Sequence, residues 1–158
     1  MVIVLFGKDS FRSHEFLTRL THDFSTQKQG DIIVFDEENF NLHGFHHHIL
    51  SQGLFAKEKM LILKYLTSTF SLKDKPTLLK MLSLVPTTTT VIFYEQDTLD
   101  KKDTFFKSLI ELSKRAGKQH YPEFTPQSER ELSHWIQSEC KRAGKEIDQE
   151  ALSYLMAS

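Results

Sequence analysis

The sequence predicts an α/β fold: a parallel sheet with flanking helices, followed by the start of a small helical domain. Three observations lead there. Short apolar runs rich in β-branched residues alternate about five times with stripes of helical period. The runs are apolar throughout, as a strand covered on both faces must be. After prolines at 122 and 126 the strand-like runs stop, and only helical stripes continue.

Val2-Ile3-Val4-Leu5-Phe6 is the first strand. Gly7-Lys8-Asp9-Ser10 turns the chain, and Asp9 or Ser10 can cap the helix that follows. That helix carries Phe11, Phe16, Leu17, Leu20 and Phe24. Ile32-Ile33-Val34-Phe35 is the second strand. Phe40, Leu42, Phe45, Ile49 and Leu50 mark the second helix, with its histidines on the outer side. Met60-Leu61-Ile62-Leu63 is the third strand. Leu78, Leu79, Leu82 and Val85 give a helix that must end before Pro86. Thr90-Val91-Ile92-Phe93-Tyr94 is the fourth strand, led in by threonines whose branched side chains suit extended backbone. A helix over 103–115 carries Phe105, Phe106, Leu109, Ile110 and Leu112 and stops at Ala116-Gly117. Gln119-His120-Tyr121 is expected as a short fifth strand.

Beyond the prolines, Thr125-Pro126 is a helix start, and Ser128 with Glu131 has capping-box spacing. Leu132, Trp135, Ile136 and Ala143 share one face of a helix that ends at Gly144. Asp148 caps another with Leu152, Leu155 and Met156. The expected division is 1–123 for the α/β domain and 124–158 for the helical one. Two helices do not close a core, so the second domain is expected to be cut short.

The charge balance excludes some partners. The 158 residues hold 20 Lys plus Arg against 21 Asp plus Glu, so no net field draws this chain to nucleic acid or to an anionic membrane. Cys140 is the single cysteine, which precludes an internal disulfide and fits a reducing compartment. The opening apolar run is too short for a signal peptide and has no basic flank. No run approaches the ~20 apolar residues of a membrane span. The expected location is the cytoplasm.

Several motifs invite chemistry. Gly7-Lys8-Asp9 sits between the first strand and the first helix, where a phosphate-binding loop would be. A working loop needs GxxxxGK followed by Ser or Thr, so that backbone N–H groups wrap the phosphates and a hydroxyl holds magnesium. Here the strand runs straight into Gly7, and Asp9 puts a carboxylate where phosphate would sit. Gly7, Lys8 and Asp9 therefore read as a vestigial, non-functional loop position. His43 and His47 are four apart on the second helix, with His46 and His48 beside them, but no third metal ligand is near. Cys140 precedes Lys141 and Arg142 with no base at hand, and reads as structural. Asp36-Glu37-Glu38 resembles the acidic pocket of a receiver module, which also needs an Asp after the third strand; Lys64-Tyr65 stands there instead. Tyr94-Glu95 is the nearest match to the acidic strand end of a nucleotide hydrolase. Asp97 and Asp100-Lys101-Lys102-Asp103 read as a capped helix start. No catalytic residue, metal or cofactor is expected.

In "SQGLFAKEKMLIL" (51–63), Gly53 breaks the second helix and Leu54-Phe55 falls before the third strand. Pattern alone reads the pair as core, since a buried Leu or Phe contributes ~1.5–3 kcal/mol. The alternative is an exposed pair presented to a partner. Two large apolar residues beside Gly53 and the charged Lys57-Glu58-Lys59, in a connection that should be polar, keep that alternative open.

Taken in order, these features resemble the N-terminal half of the delta subunit family of bacterial DNA polymerase III, the clamp-loader subunits that open the sliding clamp in replication. "VLFGKDSFRSHEFLTRL" is similar to the family's opening strand, turn and helix. "VFDEENF" is similar to its second strand and acidic patch. "SQGLFAKEKMLILKYL" is the most specific stretch. "VPTTTTVIFYEQDTLDKKDTFFKSL" and "FTPQSERELSHWIQSECKRAGKEIDQEAL" follow in the family's order. The resemblance implies a clamp-loader ATPase fold with a decayed ATP site and no hydrolysis of its own. It implies clamp binding through Leu54 and Phe55, flanked by Gln52 and Gly53, with the pair entering an apolar pocket on the clamp so that one ring interface springs open. The implied partners are the sliding clamp (beta subunit) and the gamma/tau and delta prime loader subunits, with DNA met only through the assembled loader. The family's helical collar domain has no counterpart in this sequence, so the chain is expected to be a fragment. The competing readings are a nucleotide-binding α/β hydrolase domain and a receiver-like adaptor.

Overall fold

In the computed structural model, which describes residues 1–28, 30–50, 58–115 and 122–157, the four apolar runs lie side by side. They are β1 (Val2–Leu5), β2 (Asp31–Phe35), β3 (Lys59–Lys64) and β4 (Thr89–Tyr94). All pairings are parallel, and the sheet order is β1-β4-β3-β2. The connecting helices are α1 (Ser10–Lys28), α2 (Leu42–Leu50), α3 (Asp74–Ser83) and α4 (Thr104–Lys114). The expected strand at 119–121 lies outside the described residues. Just after it, Glu123 forms an isolated parallel bridge with Phe6. The Leu5 carbonyl bonds the Glu95 N–H on the β4 side, whereas the Phe6 carbonyl accepts from the Phe124 N–H at 2.7 Å. The 122–124 segment therefore lines the edge of β1 opposite β4.

Successive side chains of a strand point to opposite faces, and the core divides accordingly. Val4, Phe6, Leu61, Leu63, Val91 and Phe93 pack beneath α2, α3 and α4, against Phe45, Ile49, Leu78, Leu82, Phe106 and Leu109. Ile3, Leu5, Met60, Ile62, Ile92 and Tyr94 pack beneath α1, against Leu17, Phe24 and Phe124. The sheet is thus covered on both faces, by one helix on one side and three on the other. Central β4 is buried along its whole length, while β2 at the edge leaves Val34 exposed.

Some stripe residues fall elsewhere than expected. Phe11 is 61% exposed, because it sits about a third of a turn round the helix from Leu17. Leu50 ends α2 and is half exposed.

The chain divides into two compact units, Met1–Phe124 and Thr125–Ser158. The second holds α5 (Glu129–Arg142) and α6 (Gln149–Ala157). The first of these starts at Glu129, later than Thr125-Pro126 would place it, because Ser128 is extended and completes both halves of a capping box. Its N–H donates to Glu131 Oε2 at 2.8 Å, and its Oγ accepts from the Glu131 N–H at 3.4 Å. Gly144 follows with φ +69°, a left-handed helix end that glycine adopts without strain. Asp148 Oδ1 accepts from the Ala151 N–H at 2.7 Å and caps α6.

Candidate functional site

Open parallel sheets bind ligands outside the carboxyl ends of two neighbouring strands whose connections depart in opposite directions. β1 and β4 are such a pair. α1 leaves β1 over one face, and α4 leaves β4 over the other. The crevice between them is where Gly7, Lys8 and Asp9 lie.

The chain fills that crevice with its own groups. Gly7 has φ +126°, open to glycine and rarely to other residues, and its N–H donates to the Asp97 carbonyl at 3.0 Å. The Asp9 N–H donates to the Phe124 carbonyl at 3.0 Å, and the Ser10 N–H to the Lys8 carbonyl at 3.0 Å. A side chain on Gly7 would collide with the Phe124 backbone. Asp9 Oδ1 accepts from the Arg12 N–H at 3.0 Å, capping α1, and Oδ2 lies 2.9 Å from Arg12 Nε. A phosphate loop depends on N–H groups converging on empty space at a helix N-terminus. Here the N–H groups of Gly7 and Asp9 already serve carbonyls, and a carboxylate holds the helix end.

Glu95, the strand-end acid, is also tied up. It is only 7% exposed, and Oε1 accepts from the Thr67 N–H at 2.9 Å. Burial raises its pKa above the ordinary carboxylate value, partly offset by hydrogen bonds from the Thr67 and Leu66 backbone. The carboxylate thus braces the turn after β3. In that turn Tyr65 has φ +59°, uncommon for a bulky residue. It is held there by its N–H bond to the Tyr94 carbonyl at 3.0 Å and by ring contact with Tyr94 at 5.5 Å. The Glu95–Thr67 contact spans 28 positions and leaves no mark in the sequence, where Tyr94-Glu95 reads only as the nearest match to the acidic strand end of a nucleotide hydrolase. A hollow of about 440 Å³ at the ends of β2 and β3 is lined by Phe40, Leu66 and Phe70 together with Glu37 and Asp74. Its two carboxylates make it a poor host for phosphate.

The remaining candidates stay separate. His43 and His47 are exposed, while His48 packs on Phe35 at 5.6 Å between ring centres. Its pKa is lowered by burial, then by His47 and Lys59. Among the described residues no group of three or more His, Cys, Asp or Glu could hold a metal ion. Asp36 Oδ1 accepts from the Glu38 and Asn39 N–H groups at 3.1 and 3.2 Å, so the acidic run is a self-bonded turn. Cys140 is half-buried on α5. Gln52, Gly53, Leu54 and Phe55 lie outside the described residues. On their carboxyl side Glu58 is held in place: its carbonyl accepts from the Asp31 N–H at 3.2 Å, and its carboxylate meets Lys28 Nζ at 2.8 Å. This is the amino-terminal edge of the sheet, opposite the Gly7 turn. No helix among the described residues is long and apolar enough to cross a membrane.

Comparison with known proteins adds two findings. A family model described as "DNA polymerase III, delta subunit" matches residues 4–117. Among solved structures, the chain is similar to the DNA clamp loader delta protein (YqeN) of Bacillus subtilis, at 19% identity and a TM-score of 0.66. The similarity covers 98% of this chain and 47% of that one, so this chain spans about half the length of that protein. No curated protein matches.

Proposed function

Because the chain belongs to the DNA polymerase III delta subunit family, we propose that it is a clamp-opening subunit that binds the sliding clamp, springs one ring interface and hydrolyses no nucleotide. The observation that carries this reading is the family match over residues 4–117, which runs through the "SQGLFAKEKMLIL" stretch. Leu54 and Phe55 are the anchor, with Gln52 and Gly53 beside them. Binding energy at interfaces concentrates in a few large apolar side chains that fill pockets. Glycine tolerates backbone conformations closed to other residues, and the charged Lys57-Glu58-Lys59 follow the pair in sequence.

The absence of hydrolysis is supported by the filled crevice. The Gly7 and Asp9 N–H groups are bonded to Asp97 and Phe124 and so are not offered to a triphosphate, and the Asp9 carboxylate already sits on the positive end of α1. The same geometry disfavours the hydrolase reading. In this proposal residues 1–123 form the clamp-binding domain and 124–158 belong to the helical lid. The other partners are the gamma/tau and delta prime subunits, DNA is met through the assembled loader, and the site of action is the cytoplasm.

The test is a pull-down with the cognate sliding clamp, using the wild-type chain and the double variant Leu54→Ala/Phe55→Ala. Retention of the wild type and loss of the variant is the expected result. A clamp that ignores the wild-type chain, or holds both equally, overturns the proposal.

A further inference from the structure

We propose that the Gly7 turn is a latch: it grips the last residues of the first unit, 122–124, where a ligand would otherwise lie, and holds them on the edge of β1 without needing a ligand. The grip is made of backbone on both sides. The Phe6 N–H donates to the Pro122 carbonyl at 3.4 Å, the Phe124 N–H to the Phe6 carbonyl at 2.7 Å, and the Asp9 N–H to the Phe124 carbonyl at 3.0 Å. Gly7 is shaped for the contact, since a Cβ there would occupy the space of the Phe124 backbone. Two side-chain contacts reinforce it. The Phe124 ring lies 5.7 Å from that of Phe16 on α1, and Lys101 Nζ bonds Glu123 at 2.8 Å. Phe124 is the last residue of the first unit, and Thr125 begins the second. Pro122 and Pro126 bracket the gripped residues and stiffen the chain there.

The chemistry makes latch and ligand alternatives. A phosphate could reach the Gly7 and Asp9 N–H groups only after the Asp97 and Phe124 carbonyls had left. Asp9 biases the choice, because its carboxylate favours the α1 N-terminus and repels an incoming anion. The turn that carries a ligand in nucleotide-binding sheets here carries residues 122–124 of the chain itself.

Hydrogen exchange of the whole chain, residue by residue, tests this. In the wild type the Phe124 and Asp9 amides should be protected like those of β1, and millimolar ATP with magnesium should leave them so. In Gly7→Ala both should lose about tenfold or more of their protection, while Leu61 and Ile62 of β3 keep theirs. The proposal is overturned if the wild-type Phe124 amide exchanges as fast as that of Gln127, if ATP releases it, or if Gly7→Ala changes nothing. Should Gly7→Ala fail to fold, Lys101→Ala, which removes only the outer ion pair, takes its place: a larger rise in exchange over wild type at Phe124 than at Leu61 supports the latch, and unchanged exchange at Phe124 counts against it.

Discussion

Replacing Asp9 by Ala removes two contacts at the start of α1: the cap on the Arg12 N–H at 3.0 Å and the ion pair with Arg12 Nε at 2.9 Å. An N-cap carboxylate exchanged for Ala costs about 0.5–2 kcal/mol. The ion pair adds less than about 1 kcal/mol, since the Arg12 side chain is about a third exposed and water screens it. Both contacts share one carboxylate, so the two figures are not simply summed, and a loss of about 2 kcal/mol is expected. The rest of α1 should hold, because Leu17 and Phe24 are buried against the sheet. For a chain of this size the loss corresponds to a Tm lower by roughly 4–8 °C. Asp9→Asn keeps a good cap and loses only the charge, so its cost should stay under about 1 kcal/mol. Thermal and urea melts measure both. Calorimetry with ATP and magnesium supplies the second readout. Neither variant should gain nucleotide binding, because the Gly7 and Asp9 N–H groups stay bonded to Asp97 and Phe124. Saturable micromolar binding by either variant, or an Asp9→Ala chain that melts with the wild type, would refute the reasoning.

Three further outcomes are expected. Leu54→Ala/Phe55→Ala should melt close to the wild type while losing the clamp; a buried pair would instead cost about 2–5 kcal/mol per residue, which the same melts would show. Glu95→Gln keeps the acceptor for Thr67 and removes the buried charge. Because the folded pKa of Glu95 is raised above 4.5, its ionisation costs stability as pH rises through that folded value. The Gln variant should therefore gain on the wild type with rising pH and show no advantage below pH 4.5, as urea melts across pH 4 to 8 would reveal; a gain that grows towards acid would contradict this. Ser128→Ala should weaken α5 by about 0.5–2 kcal/mol, read as lost amide protection at Glu131 and Leu132.

The strands were legible for a physical reason: a parallel strand buried on both faces has nowhere to put a polar side chain, so β1, β3 and β4 appear as unbroken apolar runs. The same signal does not distinguish an edge. Ile32-Ile33-Val34 reads like the others, yet Val34 is exposed on β2, which is an edge strand among the described residues. Caps were visible because they are local: Asp9, Ser128 and Asp148 all lie within four residues of the N–H groups they serve. The contacts that fill the crevice were not visible. Phe124 reaches Gly7 and Asp9, and Glu95 reaches Thr67, across stretches of chain that leave no periodic trace. That the loop was broken could be read from Gly7-Lys8-Asp9; what replaced the ligand could not. Leu54 and Phe55 stand apart, since pattern favours core, the polar setting of the pair keeps an exposed anchor open, and the family resemblance points outward.

The order β1-β4-β3-β2 also shapes how this chain must fold. Val2 has its sheet partner at Val91, 89 positions later, whereas β2 pairs with β3 and β3 with β4, each with the next strand in sequence. At about 5–20 residues per second, a ribosome delivers β4 roughly 5–20 s after β1. Through that interval Val2-Ile3-Val4-Leu5 has no ladder to join, and closing so long a loop is a slow step. β2, β3 and β4 can assemble first and offer β4's open side as the template. Of these four strands the earliest made is thus the last to be paired, and it is the stretch most in need of shelter while synthesis continues.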